Sequence, residues 1–175
     1  MTKRFFILLL ILPNSIFGQV NECLQFENVI EYLKFDSTFT ARFNKVKLKF
    51  KIGHKVRSGG VYPFMVNEYI VGKLELEDEA EIDNQDSVLI ESMYDEVVND
   101  EFRDTMSYIS TCITKLVVKR NTKIFVNFCR KDEDVLCVYT SRIYRKSKYP
   151  YGMIHLFFFD EDNKIKRVFD STWVE

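Results

Sequence analysis

His54 and His155 are the only histidines in the 175-residue chain, so acid–base chemistry that needs two groups titrating near neutrality would have to pair them. One would take a proton from the attacking group and the other protonate the leaving group, with a lysine neutralising the anion. That arrangement describes a small phosphodiesterase-like hydrolase. His54 follows a lysine-rich stretch, whereas His155 lies inside MIHLFFF, where a lone histidine is more often a hydrogen-bonded core residue. Other nucleophilic schemes have less behind them. There is no G-x-S-x-G turn to present a serine, and Cys129 or Cys137 beside His155 carries no local signature of a cysteine nucleophile. The favoured reading is therefore a non-enzymatic binding or interaction protein. The histidine-based hydrolase is the alternative, and a structural subunit or immunity-type partner is the second alternative.

Cofactor and metal chemistry are poorly supplied. GxGxxG and GxxxxGK[ST] are missing, as are CxxC, HxxxH and HExxH, so no nucleotide cofactor and no metal is expected. DEDNK at Asp160 to Lys164 opens like a calcium loop, but Lys164 stands where an oxygen ligand belongs and the loop glycine is absent. A hairpin turn accounts for it. The sequence does offer a surface that could bind. RIYRKSKYPY interleaves cations and rings, and Tyr144, Arg145, Lys148, Tyr149 and Tyr151 are its candidate binding residues, suited to stacking on a sugar, a base or a protein surface.

What the cysteines can do depends on the compartment. Lys3 and Arg4, the apolar run Phe5 to Leu12, and Gly18 before Gln19 form the three regions of a secretory signal peptide, with cleavage expected near Gly18. The run ends at Pro13, too short for the roughly 20 apolar residues of a spanning helix, so no transmembrane anchor is expected after cleavage. The expected organisation is a signal peptide over 1–18 and one globular domain over 19–175. Export to the periplasm or the exterior would place Cys23, Cys112, Cys129 and Cys137 in an oxidising space, where four cysteines allow three pairings. Cys129 and Cys137 flank the RKDED turn and face each other if that turn has odd length, which makes them a candidate disulfide; the alternative is four buried thiols.

Composition narrows the class further. Loss of Lys3 and Arg4 leaves 23 basic against 26 acidic residues, a formal charge of −3, which lacks the basic footprint of a nucleic-acid binder. The absence of any Asn-x-Ser/Thr triplet, with abundant Lys, Ile, Asn and Phe, leans towards a bacterial source. The partner is expected to be a protein or a small molecule. Charge is also segregated along the chain: 12 carboxylates and no Lys or Arg lie between Lys73 and Arg103.

The elements that must hold these residues follow from periodicity. Cys23, Phe26, Ile30 and Leu33 fall on one face of a helix from Glu22 to Lys34, with Asn21 as its cap. NKVKLKFKI alternates lysines with Val46, Leu48, Phe50 and Ile52, the pattern of a strand with one buried face and lysines guarding the other. A short strand is expected around Tyr69 to Leu76, an exposed loop at EDEAEIDNQD, and a helix from Asp86 or Ser87 through Val98. A second helix is expected over Tyr108 to Val117 from its doubled apolar spacing, with a strand as the alternative that Ile113, Val117 and Val118 leave open. The last third reads as four strands, TKIFVNFCR, VLCVYTSRIY, YGMIHLFFF and KIKRVFDSTW, separated by polar turns. The predicted fold is α+β: helices packed on a curved antiparallel sheet that ends in a four-stranded C-terminal meander.

Overall fold

A computed structural model describes residues 22–43, 50–53, 55–58, 65–102, 107–110, 112–113, 124–142 and 151–174. The expected signal peptide over 1–18, His54, and Tyr144, Arg145, Lys148 and Tyr149 lie outside these residues. Among the described residues no helix is long and apolar enough to cross a membrane.

Helix α1 covers 22–35 and buries Phe26, Val29, Ile30 and Leu33, the face set by spacings of three and four. It breaks at Asp36, whose carboxylate accepts the N–H of Phe39 at 2.6 Å and so caps a second short helix, α2 (Ser37–Arg42). Phe39 and Phe43 are buried by it.

Strands β1 (Phe50–Ile52) and β2 (Val56–Ser58) then run along one strand, β4 (Ile124–Asp132), both in parallel. Ile52 stands opposite Val126 and Arg57 opposite Cys129, so five steps of chain match three and the excess bulges between them. Gly53 sits in this bulge. Its N–H donates to the Val126 carbonyl at 2.8 Å, and a Cβ there would collide with the Asn127 side-chain oxygen. The alternation expected for the lysine strand holds where it is described, with Phe50 and Ile52 buried and Lys51 exposed over the Phe125 ring.

Helix α3 (Val66–Lys73), a 3₁₀ helix (Glu79–Asn84) and helix α4 (Ser87–Phe102) follow. The strand expected around Tyr69 to Leu76 is thus a helix. Met65, Val66, Tyr69 and Ile70 form one buried stripe against the sheet, and that stripe overrides the β-branched local preference of Ile70 and Val71. EDEAEIDNQD, expected as a loop, folds as the 3₁₀ helix, with the Asp78 carboxylate accepting from the Ala80 N–H at 2.9 Å. Strand β3 (Ser107–Tyr108) pairs antiparallel with β2. Of the helix expected from Tyr108, Tyr108 itself belongs to β3, Ile109 and Ser110 are not helical, Cys112 and Ile113 are, and residues 111 and 114–118 lie outside the described part.

The C-terminal meander is as expected. β4, β5 (Val135–Arg142), β6 (Tyr151–Phe159) and β7 (Ile165–Val174) pair antiparallel in order, giving the sheet β3-β2-β4-β5-β6-β7 with β1 also on β4. The class is α+β, the sheet mixed at its β1 and β2 side and antiparallel through the meander. DEDNK forms the β6–β7 turn. Asp160 accepts the N–H groups of Asp162 and Lys164, and Asn163 takes the left-handed φ of 61° that asparagine tolerates.

Both sheet faces are covered. Phe128, Leu136, Val138, Met153 and Phe157 pack under α1 and α2, while Cys129, Val135, Cys137, Ile154, Leu156 and Phe158 pack under α3 and α4. This explains why MIHLFFF is apolar at both parities. Two polar joints fix the layers. Gln25 of α1 donates to the Glu133 carbonyl and to Asn163, and accepts from Arg130. On the other face, Tyr69 donates to Asp132 at 2.7 Å, and Lys73 pairs with Asp132 and Asp134 at 3.1 and 2.9 Å.

That second joint predicts alkaline sensitivity. Burial, reinforced by the hydrogen bond to Asp132, holds the Tyr69 phenol well above its ordinary range. Burial opposes the Lys73 charge, but Asp134 and Asp132 outweigh it and raise its pKa. Both groups therefore contribute fully below about pH 10, where the unfolded side chains begin to lose protons, and that contribution falls as pH rises further. Urea unfolding from pH 8 to about pH 11 should show stability falling beyond pH 10, with a shallower fall in Tyr69→Phe. Equal slopes in the two proteins would contradict the assignment to Tyr69.

Candidate functional site

His155 sits on β6 facing the α1–α2 layer and has 0% exposure. Its Nδ1 lies 2.5 Å from Asp170 Oδ1, the residue directly opposite on β7. The rings of Phe39 and Phe157 stand 5.6 and 5.8 Å away. Nε2 is buried without a hydrogen-bond partner. Tyr32 of α1 shares this corner: burial first, then Asp170 and Asp36, hold its hydroxyl above the usual phenol range.

An aspartate behind a histidine is the orienting half of many acid–base sites, but a catalyst must also present its other nitrogen to a substrate. Here Phe39 of α2 lies over the imidazole, and no substrate atom can reach it in this conformation. The geometry is that of a buried histidine held through Nδ1 to Asp170 of β7 at the edge of the sheet. His54 lies outside the described residues, so the two histidines are not placed relative to one another. Arg142 closes β5 opposite Ile124 and Tyr151 opens β6 opposite Val174, and the residues between them lie outside the described part.

The cysteine expectation is corrected. Cys129 and Cys137 do stand opposite each other on β4 and β5, yet both are buried thiols. They share the apolar layer with Met65, Ile70, Ile154 and Leu156, where sulfur packs as a small hydrophobe. The disulfide joins Cys23 to Cys112 instead, with Cα atoms 5.2 Å apart, and ties α1 to the helical turn at 112–113. Ser110 supports this joint by donating to Glu22 and accepting from the Cys112 N–H.

The described surface offers a cleft that reading by motif passed over. The 3₁₀ helix and the first turns of α4 border an open cleft of about 440 Å³ lined by Ile82, Asp83, Gln85, Ser87, Ile90, Glu91 and Tyr94. That volume lies in the range of small-ligand pockets. Its shape follows from local structure. Asp86 caps α4 by accepting the Val88 N–H at 2.9 Å, which turns the chain sharply between the two helices. Tyr94 donates to the Asn67 amide oxygen, and Asn67 donates to Glu79 at 3.0 Å, so the Tyr94 ring is held between α3, α4 and the 3₁₀ helix.

The floor is apolar (Ile82, Ile90, Tyr94) and the wall is acidic. Neither Asp83 nor Glu91 has an ion pair or hydrogen bond among the described residues. Other carboxylates of the acidic stretch are engaged: Glu75 pairs with Lys166 and Glu96 with Lys131. Val88 and Leu89, exposed at 72% and 45%, lie on other faces of the same turn of α4. The sequence carried a signal for this site, since Ile82 and Ile90 are apolar residues set into a run of carboxylates. Among the described residues, no three His, Cys, Asp or Glu side chains converge as a metal site.

Compared with known protein families, curated proteins and solved structures, the chain matches none.

Proposed function

We propose that this is an exported binding or interaction protein, with the cleft between the 3₁₀ helix and α4 as its binding surface. The observation that carries the reading is the cleft itself: an apolar floor held rigid by Tyr94, walled by two carboxylates that lack counter-ions. Fold-internal ion pairing would have consumed those charges, as it does for Glu75 and Glu96. Export is supported by the N-terminal sequence pattern and by the Cys23–Cys112 disulfide, a bond that persists in oxidising compartments.

The test is amide chemical-shift mapping of the folded protein with a neutral aromatic probe, benzyl alcohol. Shifts concentrated at Ile82, Ile90, Glu91 and Tyr94, and lost in Ile90→Glu, are the expected result. Shifts that cluster on another face, or the absence of any saturable change at millimolar probe, would overturn the reading.

A further inference from the structure

We infer that the cleft receives a basic polypeptide segment, in which an apolar side chain enters between Ile82, Ile90 and Tyr94 while flanking Lys or Arg residues meet Asp83 and Glu91. This rests on the binding reading above and names its partner class. Two observations carry it. The cleft combines an apolar floor with uncompensated negative charge, which disfavours an anion and leaves a neutral ligand without a use for the two carboxylates. A cation on an aliphatic stem satisfies both parts, because Lys and Arg lay their methylenes on apolar surface and keep the charge at the rim.

The acidic surface also extends well past the cleft. All 12 charged residues between Lys73 and Arg103 are carboxylates. One small amine would engage only a fraction of that field; a chain bearing several spaced cations engages more of it and is steered towards it.

The experiment is fluorescence anisotropy with three labelled peptides that differ only in their core, Lys-Leu-Lys, Gln-Leu-Gln and Glu-Leu-Glu. The lysine peptide should bind best, and more weakly as salt rises from about 50 to about 500 mM and shortens the screening length. Asp83→Asn with Glu91→Gln should weaken it about fivefold, the scale of two exposed ion pairs. Asp95→Asn, outside the cleft, should change it by less than about twofold. All three side chains are exposed or half-buried, and circular dichroism verifies the variants' fold.

Equal binding of the lysine and glutamine peptides would overturn the cationic inference while leaving the cleft as a binding surface. An equal loss in Asp95→Asn would show diffuse attraction to the acidic stretch and would also overturn it. No peptide binding, with benzyl alcohol still mapping to the cleft, would refute the polypeptide partner alone.

Discussion

Replacing Cys23 and Cys112 together by serine is expected to cost about 2–5 kcal/mol of stability, on the scale seen when native disulfides are removed. The bridge spans a sequence separation of 89 residues, so the unfolded chain it constrains is a long one. Its position adds to the effect, because it clamps the start of α1 to the turn at 112–113, and α1 covers the Phe26, Phe128 and Phe157 layer. The double replacement is the informative variant, since a single serine would leave a reactive thiol that can pair elsewhere. Denaturant unfolding of the oxidised protein, the reduced protein and the double variant checks it. A change below about 0.5 kcal/mol, the scatter of ordinary surface substitutions, would show that the bridge does not hold α1. Intact mass of exported protein, with and without reductant, adds a second reading: a chain beginning at Gln19 and lighter by two hydrogens when oxidised.

Gly72→Ala should destabilise by about 1–3 kcal/mol, although Gly to Ala inside a helix ordinarily gains up to about 1 kcal/mol. A Cβ at Gly72 would stand 2.5 Å from Cε1 and Cε2 of Phe158, whose ring fills the space a side chain would occupy. Phe158 is 4% exposed and also meets the Phe169 ring edge-on at 5.9 Å, so it has little room to retreat. Phe158→Ala alone should cost about 3–5 kcal/mol through the cavity it leaves. The two changes occupy one site, so they should couple: the double variant should lose clearly less than the sum of the singles. Strict additivity in thermal or urea unfolding would mean that the helix does not rest on this ring. The same contact sets the seat of α3, and through Asn67 and Tyr94 it also sets the position of the cleft.

The meander was legible because its strands are long, rich in aromatics and β-branched residues, and separated by charged turns. α1 was legible because Phe26, Ile30 and Leu33 keep helical spacing over two turns. α3 was not: Tyr69 to Leu76 carries a β-branched pair and a glycine, and only the tertiary stripe from Met65 to Ile70 decides the matter. The parallel docking of β1 and β2 on β4 was beyond reach, since pairing across more than 70 residues leaves no local trace. Opposition of Cys129 and Cys137 was only one of the registers the sequence left open; the turn itself is even, with Asp132 opposite Val135, and the bulge between Arg130 and Asp132 brings the two cysteines face to face, whereas the choice of Cys112 as partner for Cys23 required the fold. Within the site, the charge run was plain in the sequence. The missing step was that Ile82, Ile90 and Tyr94 converge, which depends on the sharp turn capped by Asp86.

The way β1 and β2 lie on β4 also dictates an order of assembly. Each strand of the meander finds its partner within a short stretch of chain, whereas Phe50 waits for Ile124 and Arg57 for Cys129. Closing those long loops is entropically slow, so the C-terminal hairpins can form as a template on which the earlier half condenses. A chain emerging N-terminus first, from a ribosome or through a membrane pore, therefore exposes α1, β1 and β2 before their sheet partners exist. Its leading half is kept from premature closure by topology alone.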